Sequence, residues 1–82
     1  MRNPNRIEPF LEKVAKVWHK WPDQRFGQLM VNFFGDCKRD PFFPEEDAWE
    51  VALDAYLEGR DPSVALDRYY REMYRRLRDE QA

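Results

Sequence analysis

The sequence predicts an all-α fold, a compact bundle of four helices at about 6–20, 24–34, 45–58 and 62–79 within a single small domain of 82 residues. Three observations predict it. Apolar residues recur at helical spacing in four separate stretches, proline or glycine stands at each break between them, and no stretch alternates apolar with polar residues as a half-buried strand does. Repeats and low-complexity tracts are absent, so short connections between packed helices are the expected architecture.

In the first helix the apolar residues fall at Ile7, Phe10, Leu11, Val14, Val17, Trp18 and Trp21, the i, i+3, i+4, i+7 pattern held over four turns. Asn5 is positioned as its N-cap, Pro9 is tolerated in the first turn, and Pro22 forces the residue before it out of the helical region. Lys13, Lys16 and Lys20 form a basic stripe on its outer side. In the second helix Asp23 is placed to cap, Phe26, Leu29, Met30 and Phe33 share one face, and Gly35 supplies a C-terminal stop. Gly27, Val31 and Phe34 line an adjacent face. A glycine inside a helix costs about 1 kcal/mol relative to alanine, so Gly27 suggests close approach of another backbone or of the Trp18 or Trp21 ring. On that reading the second helix packs on two sides and lies mid-domain, unless Val31 and Phe34 are left exposed for a partner.

Gly35, Pro41 and Pro44 exclude a continuous helix through GDCKRDPFFPEED, which is a loop. The third helix turns Trp49, Ala52, Leu53, Tyr56 and Leu57 inward, carries Glu45, Glu46 and Asp47 in its first turn where acid complements the helix dipole, and stops before Gly59. Asp61-Pro62 is an N-cap followed by a first-turn proline. The fourth helix sets Leu66, Tyr69, Tyr70, Met73, Tyr74 and Leu77 towards the core, with Arg68, Arg71, Arg75 and Arg78 on the other side. The expected core is Ile7, Phe10, Leu11, Val14, Trp18, Phe26, Leu29, Phe33, Trp49, Leu53, Tyr70 and Met73.

Composition narrows the function classes. Net charge is −2, but residues 1–41 carry eight Lys/Arg against five Asp/Glu, and residues 42–82 six against eleven. Overall attraction to nucleic acid or an anionic membrane is therefore not supported. No apolar run approaches the roughly 18 residues of a membrane span, and MRNPNRIEPF lacks the apolar centre of a signal peptide. A single cysteine, Cys37, allows no intrachain disulfide or cysteine metal cluster and fits a reducing cytoplasm.

No catalytic, cofactor or metal site emerges. His19, the only histidine, falls on the polar side of the first helix. Cys37 lacks a partner base, although Lys38 and Arg39 are placed to lower its pKa. The Asp47, Glu50, Asp54 and Glu58 stripe has helical spacing but no inward Glu-x-x-His pair, and the three glycines are too far apart for a phosphate loop. RYYREMYRRLR, residues 68–78, pairs arginines with tyrosines. A nucleic-acid reading would use Lys13, Lys16, Lys20, Arg68, Arg71, Arg75 and Arg78 if the two basic faces lie side by side. Acidic neighbours reduce 62–82 to net +1, however, and WPD leads to no basic recognition helix.

The better-supported expectation is a small non-enzymatic module that binds another protein or a second copy of itself. The chain has more large apolar groups than one face per helix can bury, and surplus exposed patches mark interfaces. Phe42 and Phe43 adjoin in a proline-flanked loop, while Val31 and Phe34 lie off the main face of the second helix; alternatively the loop folds back and one phenylalanine plugs the bundle end. Over residues 2–57 the motifs R-N-P-x-R-I-x-P-F-L, W-x-x-x-P-D-Q-R-F-G-Q-L-M-x-N and D-P-F-F-x-E-E-D resemble a group of small bacterial proteins, prophage-type ones among them. The shared core falls on Pro22, Asp23, Arg25, Gly27, Gln28 and Leu29, followed by Asp40, Pro41 and Phe42. The resemblance brings no activity or cofactor with it. It makes Asp23, Arg25, Gln28 and Asn32 either capping and packing residues or part of a shared contact surface with Val31, Phe34, Phe42 and Phe43.

Overall fold

A computed structural model describes residues 2–81 and has four α-helices with no strand among them. A 3-10 turn, Pro4–Arg6, leads into α1 (Ile7–Lys20), followed by α2 (Phe26–Cys37), α3 (Glu46–Leu57) and α4 (Pro62–Gln81).

Local chemistry explains most boundaries and corrects three of the expected ones. The N-terminal cap is Asn3, not Asn5: the Asn5 N–H donates to Asn3 Oδ1 at 2.9 Å. Pro4 occupies the first helical position, so the cap has to precede it. Asp23 does not cap α2, which begins at Phe26; the Gln28 side chain reaches back to accept the Arg25 N–H at 3.0 Å. Nor does Gly35 end α2. The helix runs through it to Cys37, and Lys38 takes the left-handed terminating conformation at φ 55°, its N–H donating to the Phe34 carbonyl at 3.1 Å. Glycine is merely costly inside a helix, whereas a residue at positive φ stops one.

Elsewhere the expected punctuation holds. Gly59, at φ 74°, ends α3 with paired bonds from Gly59 N–H to Tyr56 O and from Arg60 N–H to Ala55 O, the Schellman arrangement. Asp61 caps α4 by accepting the Ser63 N–H at 2.9 Å.

The central element is α3 rather than α2. It packs against both α1 and α4, while α2 leans on α4. Ala48, Ala52 and Ala55 are all buried on α3, and side chains this small let neighbouring helices approach closely. Gly27 meets no such approach, since a Cβ built there has nothing within 4 Å. The face of α2 bearing Gly27 and Val31 is open, and Val31 is 72% exposed.

Val17, Leu29, Phe33, Cys37, Trp49, Leu53 and Leu66 join those alanines in the core, with Phe10, Val14, Trp18, Phe34 and Tyr70 packed at its margin. Aromatic rings supply much of the contact: Phe33 lies 5.9 Å from Trp49 and 5.6 Å from Tyr56, and Phe34 lies 5.2 Å from Trp49. Trp18 donates its indole N–H to the Gln24 carbonyl at 2.7 Å, which ties α1 to the α1–α2 connection. Three residues expected in the core, Ile7, Leu11 and Phe26, are exposed instead. For Ile7 and Leu11 the reason is that an apolar stripe four turns long on α1 is wider than the contact that α3 provides; Phe26, the first residue of α2, lies against the Trp18 ring at 5.7 Å.

Past Met73 every α4 residue from Tyr74 to Glu80 is exposed. A 20-residue helix is about 30 Å long, more than its 12-residue neighbours can cover, and the molecule accordingly extends 50 Å along its longest axis against 29 and 21 Å on the others.

Candidate interaction surface

The proline-flanked loop meets α4 between Asp67 and Tyr74. Arg39 fastens them together. Its guanidinium donates to Asp67 Oδ1 at 2.8 Å and lies 4.5 Å over the Tyr70 ring, a cation–π contact that leaves Tyr70 half-buried. Burial raises the Tyr70 pKa, with Arg39 opposing the shift. Next in the chain, Asp40 turns the backbone by accepting the Phe42 N–H at 2.9 Å, the local side-chain bond that makes aspartate a turn former. The loop therefore points outward. Phe42 is 84% and Phe43 75% exposed, their rings edge to face at 5.3 Å. Neither ring plugs the bundle end. An open groove lies beside them, lined by Lys38, Arg39, Asp40, Phe43, Pro44, Tyr70 and Tyr74, and Tyr74 is itself 62% exposed.

The other expected surface residues separate into two groups. Phe34 belongs to the core margin, edge to face with Trp49 and tilted against Phe33. Asp23, Gln28, Val31 and Asn32 line a second, shallow groove on the outer side of α2 with Gln24 and Gly27, and Arg25 is exposed at the start of that helix. Two of these have local bonding roles: Gln28 in the helix start described above, and Asn32, whose amide donates to Gln24 Oε1 at 3.2 Å. The two grooves share no lining residue. Tyr70, Tyr74 and Lys38 were not legible as surface partners of the loop, because helical periodicity assigns the tyrosines to the seam along the whole of α4 and carries no information on where its neighbours end.

Part of the basic stripe on α1 is engaged within the fold. Lys13 Nζ lies 3.1 Å from Asp54 Oδ2 and 3.7 Å from Glu50 Oε2 on α3, and the bond to Asp54 raises its pKa. Lys20 donates to the Leu57 carbonyl at the end of α3. Lys16, Arg68, Arg71, Arg75 and Arg78 are exposed. Phosphate would have to compete for two of the seven cations, so no retention on single- or double-stranded DNA or on RNA is expected at about 50 mM salt, where counterion release favours binding most. Retention that weakens steeply with added salt would restore the nucleic-acid reading.

Cys37 is buried on the last turn of α2, and burial, reinforced by Asp36 and Asp61, pushes its thiol up to about 12. This is opposite to the lowering expected from Lys38 and Arg39: desolvation of the thiolate dominates, and the guanidinium of Arg39 is engaged with Asp67 and Tyr70 instead. His19 is exposed. Of the acidic stripe on α3, Glu50 and Asp54 pair with Lys13, and Glu58 with Arg60 at 2.7 Å. Among the described residues no group of three or more His, Cys, Asp or Glu is arranged to hold a metal ion, and no helix is long and apolar enough to cross a membrane. In comparisons with family models, curated proteins and solved structures, nothing matches the chain.

Proposed function

We propose that this protein is a small non-enzymatic interaction module of the cytoplasm that binds protein through the aromatic surface formed by the 38–44 loop and the outer part of α4. The observation that carries the reading is the exposure of Phe42 and Phe43, held outward by the Asp40 turn beside a groove containing Tyr70 and Tyr74. Two adjacent phenylalanines in water contribute little to a fold, and aromatic side chains with a rim of arginine are the composition enriched where proteins meet. The D-P-F element of the sequence resemblance takes on a physical role here: aspartate forms the turn, proline restricts the backbone and phenylalanine is presented.

The double substitution Phe42→Ser and Phe43→Ser tests this. Helicity and unfolding free energy should stay within about 0.5 kcal/mol of the parent, as for other surface changes, while binding to partner protein is lost. Unfolding of the double variant would mean that the rings support the fold and would remove the proposed surface.

A further inference from the structure

We infer that two copies of this chain pair end to end about a two-fold axis, the projecting end of α4 of each lying along the start of α1 of the other. Helix directions place both halves of this contact at the same end of the molecule. Ion pairs from Arg6 to Glu46 and from Lys13 to Glu50 and Asp54, with the Lys20 bond to the Leu57 carbonyl, set α1 parallel to α3. The short 58–61 turn then returns α4 antiparallel to both. Residues 74–80 therefore form an arm that projects about 10 Å, at the helical rise per residue, past the end where α1 begins. The arm cannot lie along its own α1, which it has already passed. A two-fold axis across this end brings in a second α1 that starts where the arm emerges and runs the same way, and it supplies the receiving and the inserting element from one patch, as an isologous contact requires.

Charge selects the pairing. On α1, Ile7, Leu11 and Ala15 follow one another at four-residue intervals and are all exposed, the first two at 45% and 54%. Glu8 and Glu12 form the neighbouring row, exposed and in none of the described ion pairs. On the arm, Leu77 is 47% exposed, and Arg75, Arg76 and Arg78 around it are likewise exposed and in no described ion pair. With Tyr74 beside Ile7, Leu77 falls between Ile7 and Leu11, and the three arginines stand level with Glu8 and Glu12. Arm against arm would instead set arginine against arginine, which repel. The contact is separate from the loop groove, which none of Ile7, Glu8, Leu11, Glu12 and Leu77 lines.

The arm also accounts for surface that a monomer leaves uncovered. A compact monomer of 10.1 kDa exposes about 5,300 Å², while this chain exposes 6529 Å². The surplus arises where α4 outruns its neighbours and every residue from Tyr74 to Glu80 is exposed, and it exceeds the roughly 800 Å² that each partner contributes to a standard interface. Seating both arms covers that surface.

Sedimentation velocity from about 1 µM to 1 mM, the range that spans moderate to weak association, should show a reversible monomer–dimer equilibrium. Leu77→Ser, on the unsupported arm and so without effect on the fold, should raise the dimer Kd about tenfold or more, as expected for a central apolar anchor. Charge reversal provides the specific readout. Glu8→Arg with Glu12→Arg, and separately Arg75→Glu with Arg76→Glu, should each weaken self-association by like-charge contact. An equimolar mixture of these two variants should form heterodimers, since both of its arm-to-α1 contacts then join opposite charges. Circular dichroism of each variant checks that helicity is kept. A wild-type chain monomeric at about 1 mM, the weak limit of that range, a dimer indifferent to Leu77→Ser, or a mixture that fails to associate would each overturn the dimer. The loop surface is judged separately, by loss of partner protein from the Phe42→Ser, Phe43→Ser chain, whose substitutions leave this contact intact.

Discussion

Trp49→Ala is expected to lower the unfolding free energy by about 3–5 kcal/mol, the range for removing a large buried aromatic. Trp49 is 6% exposed and sits on α3, the helix that packs against both α1 and α4. Its ring meets Phe33 at 5.9 Å and Phe34 at 5.2 Å, so truncation opens a cavity facing α2 and removes two aromatic contacts together. A chain of this length has about 4–12 kcal/mol of stability in total, and the variant should therefore be largely unfolded at modest denaturant. Urea titration followed by circular dichroism measures the effect. A loss below about 1 kcal/mol, typical of an exposed position, would mean that Trp49 is not packed against Phe33 and Phe34 as described.

Alkaline pH is expected to destabilise the protein through Cys37. Its folded-state pKa is about 12 against an ordinary 9.0, so the unfolded chain gives up its proton first. Between those values the unfolded state binds fewer protons than the folded state, and the unfolding free energy falls as pH rises. The stabilisation is complete below about pH 9 and is lost on approaching 12, amounting to about 4 kcal/mol over that span. Tyr56 and Tyr70, raised chiefly by burial, and Lys13, raised chiefly by its bond to Asp54, act in the same direction. Cys37→Ala separates these contributions. Denaturation midpoints between about pH 8 and 11 should fall less steeply in that variant than in the parent, a window set by the pKa displacement itself. Equal slopes would contradict the burial of Cys37.

The helices were legible because their signals are local. Asp61-Pro62 and Gly59 each act within a few residues, and the structure uses both as the sequence implies. Gly35 misled because glycine only permits a helix to end, while Lys38, with no such mark, adopts the left-handed turn that ends it. The central position of α3 was hidden for a different reason. Alanine is neutral in a hydrophobic pattern, yet Ala48, Ala52 and Ala55 are what admit two neighbours. Likewise Gly27 read as a site of close packing and faces open space.

For the candidate surface, sequence reasoning picked out the Phe42–Phe43 pair from its composition and proline flanks. It could not supply the other wall of the groove. Tyr74 carries the same periodic signal as Leu66, but the first is exposed and the second buried, and only the length of α4 relative to the other helices separates them. Phe34 was offered as surface for the mirror-image reason: its place off the main face of α2 is covered by Trp49.

The central claim is that the loop end of this molecule is a protein-binding surface, and site-specific photo-crosslinking in living cells tests it most directly. A photoreactive phenylalanine analogue at position 43 should give a discrete protein adduct, while the same analogue at Lys16, which is exposed on α1 and does not line the groove, should give none. Adducts no more abundant or defined at position 43 than at position 16 would contradict the account.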